Sequence, residues 1–215
     1  MTTSLNQNFG LEFAGCSLEL VQEALKISDG RAKKLRDLHL LRPTTNSGRG
    51  KRERFNGFDV NFLASARQRP LPIDRPTLVC SMGVEPQHGL RPSLFFNRNA
   101  ADNEKWIESC ERELLKHEEL EPLVDEIRSL GLFITGHWKV SDEDSQRLVD
   151  EGGIIVASYT GFILDGGRVI AEVPEYRRDD GARCFVVEPL SGLDQSRYCH
   201  NYRDPKVGPV VEVVG

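Results

Sequence analysis

Three things are missing from this chain, and each absence closes off a class of protein. No apolar run approaches the roughly 18 residues that a membrane-spanning helix requires. The opening MTTSLNQNFG has neither a basic stretch nor an apolar one behind it, so a soluble, cytoplasmic protein without a membrane partner is expected. Cysteine is sparse: Cys16, Cys80, Cys110, Cys184 and Cys199 are odd in number, scattered and never spaced as Cys-x-x-Cys. That pattern argues for free thiols in a reducing compartment and against a disulfide framework. Catalytic and metal-ligand spacings are also absent. There is no Gly-x-Ser-x-Gly elbow; His88, His117 and His137 stand apart from other ligand types, and the adjacent Cys199-His200 pair suits one metal poorly. No enzymatic activity, metal or cofactor is expected.

What the chain does have is a charge asymmetry hidden by its formal net charge of −5. Residues 1–70 hold 12 Lys and Arg against 7 Asp and Glu, while residues 71–215 hold 16 against 26. A basic first third joined to an acidic remainder points to one domain that faces nucleic acid and one that does not. The density peaks at 26–54, where ten basic residues meet three acids. Neutralisation of a phosphate backbone uses charge of that kind.

The stretch from Ser17 to Arg69 is read as a small DNA-binding module. Ser17 caps a first helix with Leu18, Val21, Ala24 and Leu25 along one buried face. A Lys26-Ile27 turn leads to Ser28, which caps a second helix with Asp29 in its first turn, Ala32 and Leu35 facing inward, and Arg31, Lys33, Lys34 and Arg36 facing out. Two short helices joined by a tight turn, the second basic, form the helix-turn-helix pattern, whose second helix enters the major groove. After Leu40, Leu41 and Pro43, the segment TTNSGRGKRERF places Arg49, Lys51, Arg52 and Arg54 in a Gly-punctuated hairpin. Asn56 then caps a third helix that offers Phe58, Val60, Phe62 and Leu63 to cover the first two, and Pro70 ends it. The run Ser47-Gly48-Arg49-Gly50-Lys51-Arg52 is not a phosphate loop, because Arg52 stands where Ser or Thr would bind magnesium and an earlier Gly is missing. Nor does it have the flanking prolines of a minor-groove hook.

In its Ser17 cap, Ile27-Ser28 turn, Leu40-Leu41-Arg42-Pro43 exit and Phe55-Asn56-Gly57-Phe58-Asp59-Val60 close, this stretch resembles the winged helix-turn-helix of the MerR family and its excisionase-like relatives. The match needs no gap from Ser17 to Pro43. It departs at His39, where the family usually has Gly, at Arg31-Ala32-Lys33, where it usually has Thr-Leu-Arg, and in a wing offset by about one residue. The resemblance implies a recognition helix and a wing on DNA. It does not extend to the long dimerisation helix that usually follows in full-length MerR-type regulators, which Pro70, Pro72 and Pro76 forbid.

The expected organisation is a flexible arm over 1–16, the winged module over 17–69, a proline-rich linker over 70–76 and an α+β domain with a mainly antiparallel sheet over 77–215. Strands are expected at Thr77 to Met82, Ser93 to Phe96, Leu132 to Thr135, Ile154 to Tyr159, Phe162 to Leu164, Val169 to Val173, Cys184 to Val187 and Val210 to Val214. Asp165-Gly166-Gly167 reads as a hairpin turn. Helices are expected from about Asp102 to Leu130, broken near 119–121, and from Ser141, a capping-box start, to Asp150, with Gly152-Gly153 as stop. Trp106 and Trp138 would anchor the second core, Glu104, Glu108, Glu111, Glu118 and Glu119 form an acidic face that is solvated or meets a basic partner, and Tyr198 to Tyr202 is a weak small-molecule candidate.

These readings converge on a sequence-specific, nucleoid-associated transcriptional regulator. Ser28, Arg31, Lys33, Lys34, Arg36, Arg49, Lys51, Arg52 and Arg54 are its candidate DNA contacts. Double-stranded DNA is the expected partner and a homodimer the expected form, with a protein partner or small-molecule effector at the C-terminal domain. The alternatives are an architectural or excision factor of a mobile element, or an enzyme or adaptor acting through residues 77–215.

Overall fold

A computed structural model describes residues 15–44, 53–81, 126–127, 129–204 and 211–215. The chain divides into two compact units between Gln68 and Arg69.

The first unit is built on three helices, α1 (Leu18–Leu25), α2 (Asp29–Asp37) and α3 (Gly57–Arg67). Ser17 caps α1 by accepting from the Leu20 N–H at 3.3 Å, and Asn56 caps α3 by accepting from Phe58 N–H at 2.9 Å. These side chains satisfy amide groups that the first turn leaves open. Ser28 stands at the N-cap of α2, but its hydroxyl makes no capping bond. α1 ends on Lys26, held in the left-handed region at φ 48°. α2 ends on Leu38 at φ −83°, and the left-handed residue follows one place later, His39 at φ 56°, with the Leu40 N–H returning to the Leu35 carbonyl at 2.8 Å. That position favours Gly, so a side chain there carries strain. α1 packs on both α2 and α3. Val21, Leu25, Ala32, Leu35, Val60, Leu63 and Ala66 are buried at their interface. Ala24, expected inside, is exposed. Phe58 and Phe62, also expected to cover the core, are 54% and 45% exposed. The buried series on α3 runs Gly57, Val60, Leu63, Ala66 at a spacing of three, which turns the two phenylalanines outward.

Cys16 pairs with Phe55 through reciprocal backbone bonds of 2.8 Å, and the Thr44 N–H donates to the Arg54 carbonyl at 2.8 Å. Three short segments, 15–16, 43–44 and 54–55, thus meet in a small bridge that sets the two ends of the 45–53 segment side by side.

The second unit holds β1 (Thr77–Ser81), β2 (Phe133–Ile134), β3 (Trp138–Lys139), α4 (Asp142–Asp150), β4 (Ile154–Tyr159), β5 (Phe162–Glu172), β6 (Ala182–Arg183), β7 (Phe185–Pro189), α5 (Gly192–Tyr198), β8 (Asn201–Tyr202) and β9 (Val211–Val214). The main sheet runs β2-β7-β5-β4-β1-β9 with β8 beside β5, and β3 and β6 form a separate ribbon. β1 and β4 are parallel; the other pairs are antiparallel. The class is α+β with a mostly antiparallel sheet. No helix among the described residues is long and apolar enough to cross a membrane.

Ser141 caps α4 as its spacing to Asp144 predicts, accepting from the Asp144 N–H at 3.1 Å and donating to its carboxylate at 2.8 Å. Gly152, at φ 60°, ends the helix. The Asp165-Gly166-Gly167 run is not a turn: it lies inside one continuous strand, β5, from Phe162 to Glu172. A Cβ on Gly166 would meet Leu190 Cδ1 at 2.8 Å and the Ile155 carbonyl at 3.0 Å, so the glycine is there for close packing. The hairpin turn between β4 and β5 is Thr160-Gly161, with φ of 54° and 101°.

The core on one face of the sheet gathers Leu71, Val79, Ile154, Val156, Ile163, Leu190, Tyr198 and Cys199, with Val214 against it. Leu71 corrects the reading of 70–76 as a spacer. The stretch is built into the second unit, with Pro70 bridged to Tyr202 and the Asp74 carboxylate accepting from the Tyr198 hydroxyl at 2.9 Å. Trp138 is only half-buried and lies on the side ribbon, away from the sheet core where it was expected. The predicted strand at 93–96, the helical region from 102 to 125 with Trp106 and the acidic face, and the arm up to residue 14 lie outside the described residues.

Candidate nucleic-acid interface

α2 carries the four basic candidates that the sequence placed on the second helix, and its neighbours sort them into two kinds. Lys33 is paired with Asp29 one turn back at 2.6 Å. The Arg36 guanidinium donates from Nε and Nη2 to Asp37 at 3.0 and 2.9 Å, and from Nη1 to Glu53 at 3.3 Å. The Asp37 hydrogen bond, then the Asp37 charge and Glu53, push Arg36 further up from its ordinary value against a desolvation that works the other way. Arg31 and Lys34, one turn apart, have no acidic partner among the described residues. Lys34 is exposed and Arg31 half-buried. Among the described residues, the cations of this helix without an acidic partner are therefore that pair.

Ser28, at the head of α2, is exposed with its hydroxyl unused for capping. Arg54 leaves the bridge at the base of the 45–53 segment, where its Nη1 donates to the Gly15 carbonyl at 2.9 Å. It lies beside Cys16, whose thiol is pushed up by burial and pulled partly back by the Arg54 charge. Arg49, Lys51 and Arg52 lie outside the described residues.

Two partners were not legible in the sequence. Arg42 was noted only as part of the exit motif, yet its guanidinium and its own backbone N–H both engage Asp59. Glu53 looked like one acid within a basic run. It accepts from Arg36 of α2, 17 residues away in the sequence. The alternation Lys51-Arg52-Glu53-Arg54 was the available signal, since an acid kept in so basic a run invites a search for its cation.

In the second unit the Tyr198 to Tyr202 cluster does not converge on an open site. Tyr198 and Cys199 are 1% exposed and belong to the core, and Asn201 is spent on the Arg197 carbonyl. Burial raises the Tyr198 phenol, and its bond to Asp74 adds to that. The densest charged assembly lies elsewhere, around the buried Arg183. Its guanidinium reaches the Val140 carbonyl at 3.1 Å, both Glu172 oxygens at 2.8 Å, and Asp142; Ser145 donates to Glu172, and Arg177 adds a second cation to Asp142 at 3.0 Å. Every contact there is internal, tying α4 to β5 and β6. Among the described residues no three His, Cys, Asp or Glu side chains group as metal ligands.

A scan for protein families finds no matching model for this sequence, and neither curated proteins nor solved structures give a match.

Proposed function

We propose that the first unit is a winged helix-turn-helix and that the chain is a sequence-specific DNA-binding regulator of transcription. One observation carries the reading: among the described residues, Lys33 and Arg36 of α2 are paired with acids of this unit, while Arg31 and Lys34 have no acidic partner. A pair one turn apart reaches adjacent base edges in a major groove, and a bidentate arginine favours guanine. Two further features support it. The connection between α1 and α2 through Lys26 and Ile27 is as short as such a motif uses, and the backbone bond between Thr44 and Arg54 is compatible with the base of a wing. Arg49, Lys51, Arg52 and Arg54 then hold phosphates, which positions the protein without specifying sequence. The second unit serves dimerisation or sensing, because one module of this size offers little surface for specific binding. In this reading the protein is a binding protein and not an enzyme.

Selection of the full-length protein on a pool of random duplex DNA, repeated at two salt concentrations, tests the proposal. An enriched motif with two half-sites is the expected result. Salt-sensitive binding with no motif would replace the regulator with an architectural factor, and no binding at low salt would overturn the reading.

A further inference from the structure

Gly30 stands where neither the helix nor the core calls for a glycine. It lies inside α2 and not at positive φ, and among the described residues nothing comes within 4 Å of a Cβ built on it. Elsewhere the fold accounts for its glycines: a Cβ would come within 2.7 Å of a neighbour at Gly153 and 2.8 Å at Gly166, and Gly152 and Gly161 hold positive φ. An exposed glycine is also among the weakest residues for holding a helix, because it has the most backbone freedom to lose. His39 is the inverse case: at φ 56° a glycine would relieve strain, and the chain places a side chain there. A residue that breaks the local preference with no compensation inside the fold marks a position set by function.

Ala32 and Leu35 are the buried residues of α2, and Gly30 lies on the opposite side of the helix, exposed. Lys34, four residues on, shares that outward face, and Arg31 follows Gly30 in the chain. These are the two cations of α2 with no acidic partner among the described residues. Two residues before Gly30, Ser28 is likewise small and exposed. On the DNA-binding reading above, on which this inference rests, we propose that Gly30 is the point of closest approach between α2 and the base pairs. Its missing side chain lets the backbone of the first turn come down to the base edges, so that Arg31 and Lys34 reach them together. Gly30 is thus a positioning residue. A side chain there would hold the helix out of the groove and break the base contacts first, since long, flexible cations still reach phosphates. Helix stability and recognition are thereby opposed at one residue.

The test compares full-length wild type with Gly30→Ala, Gly30→Met and, as a control at an exposed position of α1, Ala24→Met. Affinity is measured for the duplex that wild type selects and for a random duplex, beside thermal unfolding. Both Gly30 variants should raise the unfolding temperature of the first unit by about 2–5 °C, since each puts a better helix former into open space. Both should bind the selected duplex more weakly, about fivefold for Ala and about fiftyfold for Met, the effect of forcing extra atoms into a filled interface. Binding to the random duplex should stay within about twofold, because it rests on phosphate contacts. Ala24→Met should match wild-type affinity for both duplexes. Unchanged affinity of both Gly30 variants for the selected duplex, an equal loss on both duplexes, the same loss in Ala24→Met, or a fall in unfolding temperature alongside the loss of binding would overturn the assignment. Failure of wild type to bind or select any duplex would overturn the underlying reading itself, a result distinct from all of these.

Discussion

Asp59 receives two kinds of donor from Arg42: the backbone N–H at 2.9 Å on one carboxylate oxygen, and the guanidinium at 2.7 Å on the other. Asp59 stands in the first turn of α3, where a carboxylate also suits the helix dipole. Its side chain is 12% exposed and that of Arg42 is 62% exposed. The two ends of this contact are therefore unequal. Asp59→Ala removes the amide acceptor, the ion pair and the dipole partner together, for an expected loss of about 1–2 kcal/mol. Arg42→Ala leaves the backbone bond in place and removes only an exposed ion pair, for about 0.5 kcal/mol or less. Denaturant unfolding of the two variants checks the order; equal losses would show that the backbone bond contributes nothing.

His39→Gly should stabilise the first unit by up to about 1 kcal/mol, because the left-handed conformation at φ 56° costs a side chain about that much. The gain is measured as a rise in denaturation midpoint at constant slope. A loss would mean that the imidazole's own interactions outweigh the backbone strain.

Gly166→Ala should destabilise the second unit by about 1–3 kcal/mol, since the added methyl meets Leu190, the Ile155 carbonyl and Val156 inside a filled core. At a solvent-facing hairpin turn the same change would leave the core untouched. Calorimetry on this variant distinguishes the two placements of the Asp165-Gly166-Gly167 run.

The acid limit of stability should depend on Asp142. Its hydrogen bond and charge contact with Arg183, and then the charge of Arg177, hold its carboxyl below the usual carboxylate range in the folded state. A carboxyl depressed by folding stabilises the protein above its unfolded pKa of about 3.9, and that contribution is lost as pH falls through the lower folded value. Asp142→Asn should therefore be slightly less stable than wild type at pH 7, by an amount that solvent screening keeps small, and should converge with it only as pH falls below the lowered folded value. Parallel stability curves down to pH 2 would contradict this. Arg183→Met should be the more damaging change, about 3 kcal/mol at neutral pH, because Glu172 is left nearly buried without its cation.

What the sequence disclosed was local. The caps at Ser17, Asn56 and Ser141 act within three residues of the helices that they start, so residue type and spacing suffice to find them. Ala32 and Leu35 follow from the same 3.6-residue period. Apart from the helix faces of Ala24, Phe58 and Phe62, which are local errors of period, the misreadings concern contacts made across the fold. Glycines at 166 and 167 look like a turn until both are seen inside β5, with Leu190 against Gly166. Prolines at 70, 72 and 76 look like a spacer until Leu71 is seen in the sheet core. A row of basic residues does not reveal which are already paired. Arg36 with Glu53, and Arg183 with Asp142 at a separation of 41 residues, are set by tertiary proximity alone. For the candidate interface this distinction matters most, since among the described residues it leaves Arg31 and Lys34 as the cations of α2 without an acidic partner. α5 was missed for a different reason: it is short, begins with Gly192 and carries a single buried residue, Tyr198.

The place of β1 in the sheet governs the order in which this chain can acquire its structure. β1 at residues 77–81 lies between β4 and β9, so its partners begin at residues 154 and 211. During synthesis β1 must wait for residues 154–158 and 211–214 before both of its edges are paired, and the long sequence separation makes that closure slow. The contacts described above for residues 15–67, by contrast, are complete once Arg67 has been made. A released chain truncated after residue 204 would thus lack the strand that pairs with one edge of β1, leaving a surface prone to pairing with other chains where residues 211–214 otherwise cover it.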